Sequence, residues 1–142
     1  MNARDTLARL DVRSDPAELS RVRAFVLRAL ETKARDTEAY LVAQAVDEAV
    51  SNVIEHGYGG DPEGAIEVGI EVAGRDCRVW VRDTGCWFDP TEAAEIDVER
   101  HVREGRSRGL GLYLMRAIAD DIRYERTDDG WHELYLEKHL AQ

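Results

Sequence analysis

Three shortages narrow this chain before any motif is considered. Its 142 residues hold only two cysteines, and no His or Cys spacing supports a metal or redox pair for them. Cys77 and Cys86 are therefore read as free thiols. No apolar run reaches membrane-spanning length and no signal-like amino terminus is visible, so the cytoplasm is the expected compartment and no membrane is expected as partner. Basic clusters are nearly absent from a chain of formal charge −10. That balance argues against a nucleic-acid backbone or an anionic membrane as the main partner. His56, His101, His132 and His139 are scattered and form no ligand pattern. Repeats, linkers and low-complexity tracts are missing too, and the length suits one domain over residues 1–142 with a core of its own.

What is present is regular. Thr6 to Val12 alternates as a first strand. Asp15-Pro16-Ala17-Glu18 has the form of a helix start, with Glu18 reaching back to the cap, and the helix runs to about Lys33. Leu19, Val22, Val26, Ala29 and Leu30 make its apolar stripe. Asp36 or Thr37 is expected to cap a longer helix with Ala39, Val42, Val46, Ala49, Val50 and Val53 on one side. Gln44, Glu48, Asn52 and Glu55 line up near the opposite side.

The turn-rich run Gly57 to Pro62 closes that helix. Ile66, Val68, Ile70 and Val72 alternate, a turn follows at Ala73 to Asp76, and a second strand carries Cys77, Val79 and Val81 inward. Thr91 to Arg108 is charged and irregular, with one short helix at Thr91 to Ile96. Leu112, Met115, Ile118 and Ala119 mark a further helix. Ile122 to Arg126 and Trp131 to Glu137 flank Thr127-Asp128-Asp129-Gly130 as a closing hairpin. The expected fold is a two-layer α/β (α+β) sandwich whose mixed, mostly antiparallel sheet is covered by helices on one face. Exposed apolar residues on the other face are candidates for a dimer surface.

Three segments carry the chemistry, and in this order they read as an ATP site. In Asp47-Glu48-Ala49-Val50-Ser51-Asn52, Glu48 and Asn52 stand one helical turn apart. Asn52 offers a neutral oxygen to Mg²⁺, and Glu48 can stay metal-free to accept a proton from an attacking hydroxyl. A solvated polar helix face is the plainer meaning of such a stripe. In Asp83-Thr84-Gly85, counting by twos puts Asp83 on the inward face of its strand. It either caps its own turn or accepts from the exocyclic amine of adenine, with Gly85 letting the backbone pass close to the base. Gly109-Leu110-Gly111 opens a helix with bare N–H groups that suit phosphate oxygens, although its spacing is neither a dinucleotide fingerprint nor a Walker loop.

Together these residues resemble the GHKL-type (Bergerat-type) ATPase domain, and within it the bacterial anti-sigma-factor serine kinases. The likeness covers about Asp36 to Lys138. Glu48 to Asn52 with His56-Gly57-Tyr58 is similar to the N-box, Asp83-Thr84-Gly85 with Phe88-Asp89-Pro90 to the first glycine box, and Arg108-Gly109-Leu110-Gly111-Leu112 to the second. The resemblance implies Glu48 as the base that activates a serine, Asn52 on magnesium and Asp83 on adenine. His56, Gly85, Phe88, Gly109, Leu110 and Gly111 would line the nucleotide. Glu92 to Arg108 would form a lid, with Arg106 or Arg108 offsetting γ-phosphate charge.

The chain departs from the family pattern at Gly130-Trp131-His132-Glu133, where a Gly is usually followed by Thr or Asn. A polar group that helps hold adenine is expected to be missing there, with Trp131 packed on the sheet instead. The resemblance also implies a homodimer, a STAS-type anti-anti-sigma protein as phosphate acceptor and a sigma factor as a further partner. A non-catalytic ATP-binding regulatory module and a histidine-kinase catalytic fragment are the competing functions.

Overall fold

Strand β1 (Thr6–Arg13) leads into a 3-10 turn (Pro16–Glu18), helix α1 (Leu19–Leu30), helix α2 (Asp36–Asn52) and a π turn (Val53–Gly57). Strands β2 (Ala65–Ala73) and β3 (Asp76–Asp83) follow, and β4 (Asp121–Arg126) and β5 (His132–His139) close the chain. The computed structural model describes residues 6–87 and 115–141. Residues 115–118 are helical, with Met115 and Ile118 buried. The expected helix at Thr91 to Ile96 and Leu112 lie outside the described residues.

The strands form one sheet in the order β1-β2-β3-β5-β4. Every pair among the described residues is antiparallel, in line with the mostly antiparallel sheet expected and without a parallel pair. The reason is visible in the register: after two helices the chain re-enters the sheet beside the residue where it left, Arg13 pairing with Ala65. Elsewhere, β2 and β3 turn at Gly74-Arg75, where Gly74 takes φ 63°, and β4 and β5 turn through Gly130 at φ 85°. Those left-handed positions favour glycine.

One face of the sheet holds the core. Ile66, Val68, Ile70 and Val72 of β2 and Cys77, Val79 and Val81 of β3 pack with Val22, Val26 and Leu30 of α1 and Val42, Val46, Ala49 and Val50 of α2. Each large apolar side chain buried in this way contributes about 1.5–3 kcal/mol. Cys77 and Cys86 are free, as expected, and burial pushes the Cys77 thiol up to about 12.

Local caps differ from the sequence pattern in three places. Asp15 caps the 3-10 turn through Ala17 N–H, but Glu18 pairs with Arg21 at 3.1 Å rather than reaching back. Helix α1 ends at Leu30, because the N–H groups of Lys33 and Ala34 both close onto its carbonyl at 3.0 Å. Arg35, without a side-chain cap, precedes α2, leaving Asp36 and Glu38 in the first turn where they suit the helix dipole.

Among the described residues the uncovered face carries a ladder of ion pairs. Glu67 accepts from Arg9 at 2.8 Å and from Arg82 at 3.4 Å, Arg82 also reaches Asp129 at 2.6 Å, and Arg78 reaches Glu71 at 2.8 Å. Trp131 lies under the Arg82 guanidinium at 5.2 Å, so it packs on the sheet as expected. The described large apolar side chains that are exposed are Leu7 on β1, Tyr40 and Leu41 on α2, and Trp87.

At the edge of this face His139 Nδ1 lies 2.7 Å from Asp76 Oδ1, and that hydrogen bond raises the imidazole above its ordinary 6.5. A histidine raised on folding adds stability that is full below the unfolded value and is lost as pH rises through the folded one. An NMR titration should place the His139 midpoint above 6.5, and Asp76→Asn should lower it. Asp76, Glu137 and His139 lie close enough together for a metal, but Arg78 stands 3.9 Å from each of the two carboxylates and already supplies a cation.

Candidate functional site

Helix α2 positions the first pair of expected site residues. Its Ala39, Val42, Val46, Ala49, Val50 and Val53 stripe is buried, as the spacing implied. On the remaining surface the polar residues divide. Gln44 and Glu55 are exposed, whereas Glu48 and Asn52 are half-buried beside the fully buried Ala45. Asp47 is tied to α1 by Arg23 at 2.8 Å. A purely solvated stripe would leave Gln44, Glu48, Asn52 and Glu55 alike in water, so Glu48 and Asn52, which share a helical turn, differ from the other two members of the stripe.

The chain then departs from α-helical geometry in a π turn, where Tyr58 N–H donates to Val53 O at 3.0 Å. Such single-turn widenings occur frequently at functional sites. Here it lowers Gly57 onto the end of β3. Cys86 N–H donates to Gly57 O at 2.7 Å, and a Cβ on Gly85 would collide with that same carbonyl. Gly85 is therefore required by packing between two backbones, whatever else it does. His56 projects from the π turn into an exposed position.

Asp83 sits inward at the end of β3 with 0% of its surface exposed. Its two oxygens have different fates. Oδ1 accepts from Gly85 N–H at 2.9 Å, so the turn-capping reading holds for this atom. Among the described residues Oδ2 is buried without a hydrogen-bond partner. An orphaned buried acceptor is uncommon because it forfeits its hydration, and it fits the donor of a ligand. Burial pushes the carboxyl up from 3.8, partly opposed by the Gly85 N–H and by His132.

His132 is the residue that sequence reasoning missed. Opposite Asp83 in the β3–β5 register, it is 7% exposed, and its Nδ1 lies 3.5 Å from Asp83 Oδ1 without a hydrogen bond. The position expected to lack a polar group thus carries an imidazole beside the carboxylate. The signal was available: Leu134 and Leu136 point inward, and the same alternation carries His132 inward. Trp87 covers this corner, 5.3 Å from the His132 ring in an edge-on contact and 4.8 Å from Tyr124, with the Arg126 guanidinium 5.0 Å above it. Phe88, Arg106, Arg108, Gly109, Leu110 and Gly111 lie outside the described residues. A separate cleft lined by Leu27, Arg28, Glu31, Asp36 and Tyr40 lies at the opposite end of α2 from Asn52.

Two relatives are near in length. The serine/threonine-protein kinase BtrW of Bordetella bronchiseptica is 29% identical over 102 residues, 72% of this chain and 71% of that protein. An anti-sigma F factor of Geobacillus kaustophilus is 30% identical over 121 residues, 85% and 81% of the two chains. Among solved structures, the RsbU and RsbW domains of Rv1364c from Mycobacterium tuberculosis superpose with a TM-score of 0.69 over 96% of this chain at 23% identity. This chain spans 33% of that longer protein, and the likeness is one of fold. With the histidine kinase-like ATPase domain model matching residues 12–138, the chain belongs to that family.

Proposed function

We propose that this chain is an ATP- and Mg²⁺-dependent protein-serine kinase that acts as an anti-sigma regulatory factor in partner switching. The observation that carries the proposal is the Oδ2 of Asp83 at the end of β3, buried and without a partner among the described residues. An acceptor held in that way suits the exocyclic amine of adenine. Membership of the ATPase family supports the nucleotide, and relatives named as a serine kinase and an anti-sigma factor support the use made of it.

In this reading Asn52 holds Mg²⁺, which when bound offsets charge on the phosphates. Glu48, one turn earlier on α2, accepts the proton of a partner serine as its oxygen bonds to the γ-phosphorus. The bond from that phosphorus to the bridging oxygen breaks, and ADP leaves. Gly85 keeps the base close to backbone, and His56, Phe88, Gly109, Leu110 and Gly111 border the nucleotide, with Arg106 or Arg108 on the γ-phosphate. The acceptor is a serine on a STAS-type anti-anti-sigma protein, a sigma factor is the competing partner, and the working unit is a homodimer in the cytoplasm. Among the described residues no helix is long and apolar enough to cross a membrane.

The test is transfer of labelled γ-phosphate to a STAS-type protein encoded beside this one, with Mg²⁺ present. Label on a partner serine is the expected result. Tight ATP binding without label on any such protein would turn the reading to a non-catalytic regulatory module.

A further inference from the structure

We infer that Tyr58 is a positioning residue for recognition of the nucleotide base, its hydroxyl fastening the turn that carries Asp83 and Gly85 to the end of the helix that carries Glu48 and Asn52. The inference rests on the kinase reading of the site and adds a residue to which no role has yet been given.

Tyr58 is anchored at its own backbone by the π turn, and its ring lies over Gly64, where any Cβ would collide with it. Its hydroxyl donates to Ala65 O at 2.6 Å, at the start of β2, and accepts from Thr84 N–H at 3.0 Å. The Thr84 hydroxyl lies 3.2 Å away. A phenol has one hydrogen and two lone pairs. The hydrogen goes to Ala65 O, since a carbonyl can only accept, so the Thr84 hydroxyl must donate to the remaining lone pair. The one hydrogen and both lone pairs of the oxygen are then spent on the two segments it joins.

The neighbouring N–H groups complete the device. Thr84, Gly85 and Cys86 donate in succession to Tyr58 Oη, Asp83 Oδ1 and Gly57 O. Two of the three acceptors belong to residues 57 and 58, and the one between them sets the rotation of the Asp83 carboxylate. The direction in which Oδ2 points therefore depends on how firmly Tyr58 and Gly57 hold the flanking peptides. Through the π turn, the same two residues continue directly from Asn52.

The experiment uses Tyr58→Phe, which keeps the ring over Gly64 and removes only the hydroxyl. Mg-ATP and Mg-GTP affinities are measured by competition against a fluorescent ATP analogue, beside thermal melts. The expected result is about tenfold weaker ATP binding, the worth of the one adenine hydrogen bond that a misdirected Oδ2 would lose. GTP should change little, so that the preference for ATP shrinks, and in a phosphotransfer assay KM for ATP should rise with kcat nearly unchanged. Thr84→Ala, deleting one of the three contacts, should give a smaller change in the same direction, and it answers the question if Tyr58→Phe does not fold. Unchanged ATP affinity in a folded variant, or an equal loss for ATP and GTP with a lowered melting temperature, would overturn the positioning role while leaving the kinase reading intact. A wild-type protein that takes no Mg-ATP overturns both.

Discussion

Glu48→Gln should hold Mg-ATP as tightly as the wild type and lose phosphotransfer to a partner serine by about 10²–10⁴-fold, the usual contribution of a positioned general base. The substitution keeps size and helix propensity, so α2 and its buried stripe should be undisturbed and the melting temperature nearly unchanged. What it removes is a site for the serine proton. Glu48 is half-buried on the same turn as Asn52, whereas Gln44 and Glu55 of the same stripe are exposed, so the acid is held beside the proposed metal ligand rather than in bulk water. Equal losses of binding and transfer would place Glu48 among the groups that hold the nucleotide. Full transfer would mean that the proton goes elsewhere. A reading in which this chain merely binds ATP expects no transfer in either protein.

The sequence was most informative where burial and local geometry impose the same period. Alternation in β2 and β3 gave the inward faces, including Asp83, because a strand with one buried face has no freedom to slip by a residue. The α2 stripe was legible for the same reason, as were the β2–β3 turn at Gly74 and the closing hairpin. The π turn was not legible. One extra residue in a helical turn leaves no mark on an apolar pattern that continues through the buried Val53 and Ile54. Nor could the sequence say that the stripe of Gln44, Glu48, Asn52 and Glu55 divides into exposed and half-buried residues, since that depends on what packs beside the helix.

His132 shows the limit most clearly. Its inward direction follows from alternation in β5, but its place beside Asp83 requires β5 to pair with β3, a non-local register that no local pattern encodes. The exposed face was only partly legible for a related reason. An alternating strand reveals which residues point outward, but the ladder in which Glu67 receives both Arg9 and Arg82 appears only when three strands are side by side. Tyr58 belongs with these: the resemblance marked it, and only its three contacts give it a physical task.

Asp83→Asn should weaken Mg-ATP binding by about 100-fold and, without nucleotide at neutral pH, leave the protein as stable as the wild type or more so. Both effects follow from the division between the two oxygens. The Asn carbonyl can still accept from Gly85 N–H, as Oδ1 does. The amide nitrogen then replaces Oδ2 and sets donors against the donors of the adenine amine, which costs more than a missing contact. In the free protein the same exchange removes a buried charge whose Oδ2 has no hydrogen bond. The sign of the pH dependence can be worked out: burial raises the folded carboxyl above 3.8, so the native state binds this proton more tightly than the unfolded chain does. The wild type is therefore favoured by this group at low pH and loses that contribution as pH rises from 3.8 through the raised folded value. The stability advantage of Asn over Asp should be smallest in acid and should widen toward neutrality. Nucleotide should then reverse the order. At Mg-ATP about 100 times the wild-type Kd, linkage adds about 2.7 kcal/mol to the wild type and only about 0.4 kcal/mol to a variant bound 100-fold more weakly. Melting curves of the two proteins with and without Mg-ATP should therefore cross over. An Asn variant that is less stable without nucleotide would show that Oδ2 serves the fold, and equal stabilisation by ATP would leave Asp83 as a turn cap alone.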